Sequence, residues 1–349
     1  MFSKSRIRYV YIFFYLTICC LAFVSCKAEE QQQNIRRDSS KVIKADSTSL
    51  RKVTLQLQWL HQAQFAGFYV AKEKGIYSEY GLDVIIEMGG PQISSPHVIS
   101  NKGAEFGTMF LTSALREVDA GNKIVNIAQL SQKSSMLLVA RKNSGIEKIS
   151  DINGKRVGLW ASDFNEPSII FLNKNNIKAK IVPISWTTNV LSQGVVDIMN
   201  MMVYNEYNVY INSGNNPEDL SVFALHELGV NIPEDGVYCH SDYYAENQSL
   251  CHDFAEATMD GWFYALNHEE ETLSYVLKYL KDAHLPANIP HQQWMLQKIK
   301  EAILFKPEQF GKLTKHDYYS SVQMMEKNGM LKKHSEYLDF IGYADIKKD

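Results

Sequence analysis

Strand-like and helix-like segments alternate along this chain, and that order constrains its fold more than any other feature. Val53, Leu55 and Leu57 alternate with polar residues, which is the period-two pattern of a strand with one buried face. The helical pattern that follows ends near Gly75, where a glycine suits a helix C-terminus. The predicted strands are 53–59, 83–88, 104–109, 124–129, 136–140, 156–160, 179–183, 198–202 and 237–240, and the longer predicted helices are 112–120, 167–175, 253–268, 270–282 and 290–304.

This alternation predicts an α/β protein with two lobes. Strands that alternate with helices form parallel sheets that are covered by helices on both faces. One set of strands and helices ends near residue 140 and a second set begins near residue 156, so we expect two sheets. Ligands of such proteins bind in a crevice beyond the carboxyl ends of the strands.

The composition is that of an ordinary globular protein. The 349 residues are 45% hydrophobic and 21% charged, which suffices for a core shared by one or two domains. The formal net charge of −3 provides no basic excess to neutralise phosphates, so we do not expect nucleic acid as a partner. We expect a monomer.

The N-terminus has the pattern of an export signal. Basic residues precede an apolar run of 16 residues at 9–24, which is short for a membrane-spanning helix. The motif FVSC at 23–26 resembles the lipobox of bacterial lipoproteins, whose cysteine is lipidated and becomes the first residue. We predict a signal peptide over 1–25, a lipid anchor on Cys26 and a flexible tether over 26–51. The alternatives are an uncleaved anchor helix and a signal that is cleaved elsewhere.

An ordered series of short motifs resembles one group of proteins. The motifs are LQLQW at 55–59, QFAGFYVA at 64–71, KGIY at 74–77, GLD at 81–83, GGP at 89–91, AEFG at 104–107, GKRVG at 154–158, YNE at 204–206, PEDGVY at 233–238 and GWFYA at 261–265. Together they resemble the solute-binding proteins that are related to thiamine-pyrimidine synthases and to aliphatic-sulfonate binders.

The resemblance implies a type II periplasmic-binding-protein fold, in which two α/β lobes enclose a cleft and are joined by a hinge of two crossing strands. We place the crossings near 136–141 and 236–240. Lobe 1 is then discontinuous, over 52–140 and 237–349, and lobe 2 covers 141–236.

The resemblance and the strand ends indicate the same ligand site. Relatives that bind the thiamine pyrimidine carry an amide residue and a tryptophan against the ligand at the positions of Gln58 and Trp59. A tryptophan can stack on a flat ring, and an amide can pair with ring nitrogens. Glu206 follows a strand of the other lobe, where a carboxylate accepts hydrogen bonds from an aminopyrimidine. The remaining candidate ligand-binding residues are Phe65, Tyr69, Thr108, Met109, Trp160, Asp163, Tyr204 and Asn205.

Structural roles are the alternative for several of these residues. A tryptophan in an alternating strand is more often a core residue, so Trp59 and Trp160 are also candidates for packing. Glu206 lies near a helix start, where a carboxylate favours the helix dipole without any ligand.

Some members of the same superfamily are enzymes. These synthases make the thiamine pyrimidine with a pyridoxal phosphate lysine, a histidine and a cysteine-rich segment that holds iron. Met109 and Ser113 occupy the lysine and histidine positions here, and only Cys239 lies where the cysteine-rich segment is expected. A methionine has no amine for a Schiff base and a serine is a poor general base, so we predict a protein without catalysis or cofactor.

Two Cys-His dipeptides, at 239–240 and 251–252, resemble a metal site only superficially. Their spacing is not that of a zinc site, so we predict no metal. A disulfide between Cys239 and Cys251, formed in the export compartment, and two free buried thiols remain as alternatives.

These observations predict the substrate-binding lipoprotein of an ABC importer, anchored by Cys26 on the periplasmic side of the cell envelope. Its partners would be a small-molecule ligand and the ABC permease. We expect a small planar nitrogen heterocycle, such as a thiamine pyrimidine precursor or a related vitamin, because a bare anion would require hydroxyl donors, backbone amides and a cation. The alternatives are a synthase-like enzyme of thiamine biosynthesis, a binder of sulfonate- or nitrate-type anions, and a sensory or docking module.

Overall fold

The computed structural model describes residues 50–160, 164–185 and 187–343. The predicted signal peptide, the anchor residue Cys26, the tether as far as residue 49 and the candidate Asp163 lie outside the described residues. No helix within the described ranges is long and apolar enough to cross a membrane.

Ten strands of the described chain form two five-stranded sheets. The first sheet has the order β2-β1-β3-β10-β4 and the second has the order β7-β6-β8-β5-β9. The strands are β1 (Arg51–Gln56), β2 (Leu82–Glu87), β3 (Phe106–Phe110), β4 (Ile124–Gln129), β5 (Met136–Arg141), β6 (Arg156–Trp160), β7 (Lys180–Ile184), β8 (Ile198–Met202), β9 (Leu220–Ala224) and β10 (Asp235–His240).

Helices connect the strands and cover the sheets. The α-helices of the described chain are α1 (Ala66–Glu73), α2 (Ile76–Glu79), α3 (Ser95–Ser100), α4 (Leu111–Asp119), α5 (Glu166–Lys174), α6 (Asn189–Ser192), α7 (Glu206–Asn212), α8 (Ser241–Glu246), α9 (Gln248–Asn267), α10 (Glu269–Asp282), α11 (Ile289–Ile303), α12 (Lys315–Lys327) and α13 (Tyr337–Phe340).

The two sheets share one topology. β1 pairs in parallel with β2 and β3, and β6 pairs in parallel with β7 and β8. Each sheet also contains one antiparallel strand, β10 in the first and β5 in the second. Each antiparallel strand follows a strand of the other sheet along the chain, so the chain crosses twice between the lobes.

The crossing segments lie side by side and hydrogen-bond to each other. The backbone amides of Leu130 and Ser131 donate to the carbonyl oxygen of Asp235 at 2.9 and 3.0 Å. The hydroxyl of Ser134 and the amide of Ser135 both donate to Oε1 of Glu234 at 2.8 Å. The connection between the lobes is therefore a bonded pair of segments.

The first crossing occurs earlier than the sequence indicates. β5 was expected to end lobe 1 at residue 140, but every residue of β5 pairs with β8, β9 or both in the second sheet. The change of sheet therefore falls between β4 and β5. An apolar run such as 136–140 predicts a buried strand, but its pattern does not indicate which sheet the strand joins.

Close helix packing secures the first lobe. Trp262 of α9 is fully buried against α1. A Cβ atom at Gly67 would lie 2.3 Å from the Trp262 ring, and one at Gly261 would lie 2.4 Å from the carbonyl oxygen of Gly67. Both positions exclude larger side chains, which holds α1, and with it the end of β1, against the body of the lobe.

Candidate functional site

A cavity of about 380 Å³ lies where strands of both sheets end, which is where parallel sheets place ligands. The first lobe contributes residues that follow β1 and the last residue of β3. The second lobe contributes residues at the ends of β6, β7 and β8. The lining residues are Gln58, Trp59, Gln62, Gln64, Pro91, Phe110, Trp160, Phe164, Pro183, Ile184, Ser185, Met202, Tyr204, Asn205 and Glu206.

Aromatic side chains from both lobes form the apolar part of the cavity wall. The ring of Phe164 meets Phe110, Trp59 and Trp160 edge-on, with centroid distances of 4.7, 6.3 and 6.5 Å. Phe164 holds a backbone φ of +79°, a conformation that costs energy for a bulky residue. The surrounding rings therefore keep Phe164 in place at this wall.

Glu206 places a carboxyl group directly in the wall of the second lobe. Its side chain is buried, its Oε2 accepts the backbone amide of Met202 at 3.0 Å, and its Oε1 accepts Nδ2 of Asn205 at 3.0 Å. Burial raises the pKa of the Glu206 carboxyl to about 7, against the opposing effect of these hydrogen bonds. No lysine or arginine belongs to the lining among the described residues.

The first lobe contains a second carboxyl group, which lies behind amide side chains. Oδ1 of Asp235 accepts Nε2 of Gln58 at 2.6 Å, and Oδ2 accepts Nε2 of Gln64 at 2.8 Å. Oε1 of Gln64 in turn accepts Nε2 of Gln62 at 2.6 Å. Burial raises the pKa of Asp235 to about 6, although both amide hydrogen bonds act to lower it.

Glu234, the residue before Asp235, faces the crossing segments. Burial raises the pKa of its carboxyl to about 8, while the hydrogen bond from Ser134 acts in the opposite direction. Burial raises the pKa of Tyr204, and the charges of Asp235, Glu234 and Glu206 act in the same direction. Of these three acids, Glu206 lines the cavity and makes its polar end acidic.

Helix α11 fastens the loop that carries Glu206. Nε1 of Trp294 donates to the carbonyl oxygen of Val203 at 2.9 Å, and Nε2 of His291 lies 3.2 Å from Oδ1 of Asn205. On its other side, Oε1 of Gln292 accepts the amide of Ala63 at 2.7 Å. One helix thus holds both the segment before Gln64 and the loop before Glu206.

The structure brings six of the predicted site residues together around the cavity: Gln58, Trp59, Trp160, Tyr204, Asn205 and Glu206. The remaining predicted residues with described coordinates, Phe65, Tyr69, Thr108 and Met109, are fully buried and do not line it. Helical and strand periodicity turns them toward the core.

Thr108 supports the site indirectly, whereas Tyr69 packs in the core. Oγ1 of Thr108 accepts the backbone amide of Gln58 at 2.9 Å. Tyr69 stacks on Tyr279 at 4.1 Å, and its hydroxyl pairs with His61 at 2.9 Å.

Sequence reasoning missed the amides Gln62 and Gln64 and the acid Asp235. A signal was present for Asp235, because a pair of acids directly precedes an apolar strand in the PEDGVY motif at 233–238. The two glutamines lie in the segment that follows the β1 motif, where side chains at a strand end reach a crevice.

The cysteine alternatives resolve in favour of thiols. Cys239 and Cys251 are buried and free in the structure. Within the part of the chain that the structure describes, no three histidine, cysteine or acidic side chains are grouped to hold a metal ion.

Comparison with known proteins shows which family this chain belongs to. The family model described as NMT1/THI5 like matches residues 62–272, which is more than half of the chain. The chain belongs to the NMT1/THI5-like family. This confirms the resemblance that the short motifs indicate, and the matched range includes Gln62, Gln64, Glu206 and Asp235 but begins after Gln58 and Trp59.

Two relatives of this chain carry names with different roles. The chain is 20% identical over 259 residues to the riboflavin-binding protein RibY of Chloroflexus aurantiacus, and the match covers 71% of this chain and 72% of that protein. It is 28% identical over 153 residues to the 4-amino-5-hydroxymethyl-2-methylpyrimidine phosphate synthase of Legionella pneumophila, covering 44% of this chain and 47% of the synthase.

Solved structures confirm the predicted fold. The periplasmic aliphatic sulphonate binding protein SsuA from Escherichia coli matches with a TM-score of 0.64 at 12% identity, over 84% of this chain and 98% of that chain. A ligand-binding component of an ABC-type import system from Staphylococcus aureus matches with a TM-score of 0.61 at 10% identity, over 86% of this chain and all of the other. This NMT1/THI5-like protein therefore has the two-lobed periplasmic-binding-protein fold.

Proposed function

We propose that this protein is the solute-binding component of an ABC importer and that it binds a small planar nitrogen heterocycle. The observation that carries the proposal is the chemistry of the cavity between the strand ends. Aromatic rings from both lobes line it, its polar end is acidic, and its described lining contains no lysine or arginine. A flat ring can stack on such walls while its N–H groups donate to Glu206.

The acidic wall disfavours an anionic ligand. A sulfonate or nitrate would bring its negative charge close to Glu206 and Asp235 without a lining cation to offset it, and like charges in a buried site repel strongly. The names of two relatives agree with this choice, since riboflavin and the substituted aminopyrimidine are both planar nitrogen heterocycles. A thiamine pyrimidine precursor or a related vitamin fits the proposal best.

Binding without catalysis is the proposed mode of action. Met109 and Ser113, at the positions where synthases of this superfamily carry a lysine and a histidine, are buried and lie outside the cavity lining. Neither side chain supplies an amine or an imidazole. A synthase would behave differently. Pyridoxal phosphate would form a Schiff base with one of its lysines, and borohydride would reduce this Schiff base to a stable adduct.

Closure of the lobes is the proposed means of transport. A ligand that touches Trp59 of one lobe and Glu206 of the other gains both contacts only when the lobes are together, so it shifts the population toward the closed form. The closed form would then dock on the permease. We place the protein on the periplasmic side of the envelope, tethered through Cys26, with lobes that meet at the two crossings.

Ligand binding to the purified protein tests the proposal. Isothermal titration should detect binding of 4-amino-5-hydroxymethyl-2-methylpyrimidine or of riboflavin, and no binding of ethanesulfonate or nitrate. Incubation with pyridoxal phosphate and borohydride should label surface amines weakly and without preference for one lysine. Preferential binding of ethanesulfonate, or stoichiometric labelling of one particular lysine by reduced pyridoxal phosphate, would contradict the proposal.

A further inference from the structure

The orientation of the amide groups at the first-lobe wall follows from one buried acid. Asp235 is buried, and its two carboxylate oxygens each accept one side-chain amide, from Gln58 at 2.6 Å and from Gln64 at 2.8 Å. An ionised carboxylate only accepts hydrogen bonds, so both glutamines must turn their NH₂ groups toward it. Their carbonyl oxygens consequently point away from Asp235.

The orientation of the Gln58 amide matters for a ligand because it determines where the carbonyl oxygen lies. Gln58 is only 5% exposed and lines the cavity, and its Oε1 is buried without a hydrogen-bond partner. A buried acceptor that stays unpaired is costly, so a site that contains one favours a ligand that donates to it. The backbone of Gln58 is held by Thr108, so the side chain starts from a fixed point.

Gln64 and Gln62 continue this chain of hydrogen bonds, so their side-chain amides are oriented as well. Oε1 of Gln64 accepts Nε2 of Gln62 at 2.6 Å, which commits the NH₂ group of Gln62 as well. In the second lobe, Nδ2 of Asn205 is committed to Glu206 in the same way. Nε1 of Trp160 is a donor of the lining that is buried without a partner.

We infer that Asp235 is a specificity-determining residue, which fixes Gln58 as a hydrogen-bond acceptor and thereby selects planar ligands that carry N–H donors on the edge facing the first lobe. The inference rests on the proposed function. The inference adds a requirement to that function: the heterocycle donates hydrogen bonds toward Gln58 and Glu206 and offers an acceptor toward Trp160. A heterocycle of equal size that lacks the N–H donors would leave Oε1 of Gln58 unpaired.

Asp235→Asn provides a nearly isosteric test. An asparagine offers one acceptor and one donor, so one of the two glutamines must turn its carbonyl toward the new NH₂ group. Gln64 is held by Gln62, whereas Oε1 of Gln58 has no partner, so Gln58 is the amide that turns. Glu234→Gln is the matched control, because Glu234 is the neighbouring buried acid and it contacts Ser134 and Ser135 instead of the cavity amides.

The first measurement compares two probes by isothermal titration: 4-amino-5-hydroxymethyl-2-methylpyrimidine and its 4-methoxy analogue. Wild-type protein and Glu234→Gln should prefer the amino probe to the same extent, whereas Asp235→Asn should lose about tenfold of that preference. An unchanged preference in Asp235→Asn would overturn the inference and leave the proposed function intact. If the wild-type protein binds neither of these pyrimidines nor riboflavin, the proposed function itself fails.

The second measurement needs no ligand. The side-chain NH₂ cross-peaks of Gln58 are identified in a ¹H–¹⁵N spectrum by their loss in Gln58→Met. Asp235→Asn should shift these cross-peaks and accelerate their exchange with water, and Glu234→Gln should leave them in place. If the Gln58 cross-peaks respond to Glu234→Gln as strongly as to Asp235→Asn, then Asp235 does not fix this amide and the inference is wrong.

Discussion

The two walls of the cavity combine the same groups, a buried carboxyl and side-chain amides, in opposite orders. In the first lobe the carboxyl of Asp235 lies behind Gln58 and Gln64, and the buried, unpaired amide oxygen belongs to Gln58, a residue of the cavity lining. In the second lobe the carboxyl of Glu206 lies in the wall itself, and Asn205 supports it from the side. The first wall therefore presents an acceptor that keeps its charge state, whereas the second presents one that titrates.

This difference shows that the strand ends determine where the wall residues lie, whereas the side chains behind them determine which hydrogen-bonding group each wall residue presents. Both walls use residues just beyond a strand, after β1 and after β8. What each wall offers to a ligand depends on partners that are distant in sequence, such as Asp235 for Gln58. The following changes test the comparison, beginning with the largest expected effect on ligand binding.

Replacement of Trp59 by alanine should weaken ligand binding most. The change removes the aromatic surface of the first wall but leaves the amides in place, and loss of a buried aromatic contact costs about 2 kcal/mol, or roughly thirtyfold in affinity. Isothermal titration with the amino probe measures the effect. Phe263→Ala is the control, since Phe263 is an aromatic residue with 60% of its surface exposed and no place in the lining. Equal affinities of the two variants would show that the ring does not stack on Trp59.

Glu206→Gln should weaken binding of the amino probe about tenfold, because a neutral amide is a weaker acceptor than a carboxylate. The effect should depend on pH. Burial raises the pKa of Glu206 to about 7, so protonation removes the charged acceptor and the affinity of the wild type falls as the pH decreases from 8 to 6.

The pH dependence separates the two walls. After correction for protonation of the probe, Glu206→Gln should flatten the decrease near pH 7. A decrease that persists near pH 6 belongs to Asp235, whose pKa burial raises to about 6. A variant that reproduces the wild-type pH profile would mean that the ligand does not contact Glu206.

Glu234→Gln should stabilise the protein at alkaline pH. Burial raises the pKa of Glu234 to about 8, above its value in the unfolded chain, so its contribution to folding is favourable at acid pH and is lost as the pH rises through 8. The glutamine keeps an oxygen for Ser134 and Ser135 but never ionises. Denaturation with urea should show similar stabilities at pH 5 and a gain on the order of 4 kcal/mol for the variant at pH 9, because the pKa of the carboxyl is raised from 4.5 to about 8. A stability loss at both pH values would indicate that the charged form is required.

Trp294→Phe should have the smallest effect. It removes the Nε1 donor to Val203 and keeps most of the ring, which costs about 0.5 to 1 kcal/mol of folding stability. Because this bond holds the loop before Glu206, affinity should fall slightly, while Trp59-dependent binding persists. Thermal unfolding with and without the amino probe measures both effects. A loss of binding as large as that of Trp59→Ala would mean that the loop, and not the aromatic wall, dominates recognition.

Much of the fold could be predicted from sequence because periodicity is a local property. The strands at 124–129, 156–160 and 198–202 appear with the same bounds in the structure. β9 and α12 were missed, although Tyr318, Val322 and Met325 of α12 are buried at helical spacing and provided a signal. The sheet to which β5 belongs could not be predicted, because it depends on long-range pairing with β8 and β9.

The site divides in the same way. Gln58, Trp59 and Glu206 could be located because they lie at or shortly after the ends of predicted strands and within recognisable motifs. The PEDGVY motif pointed to Asp235, but its partners could not be predicted, because its hydrogen bonds join residues that are 171 and 177 positions apart in sequence. Tyr69 illustrates the opposite error, since it lies in a motif near the site but belongs to the core.

Glu234 and Asp235 are consecutive residues with different neighbours. The first side chain is bonded to the serines of the crossing segment, and the second is bonded to the cavity amides. Because the two residues are adjacent, a single peptide unit ties the crossing segments to the amides of the first-lobe wall. A change of backbone torsion at this pair would disturb both sets of hydrogen bonds at once, so the join between the sheets and the polarity of the first wall depend on the same short stretch of backbone.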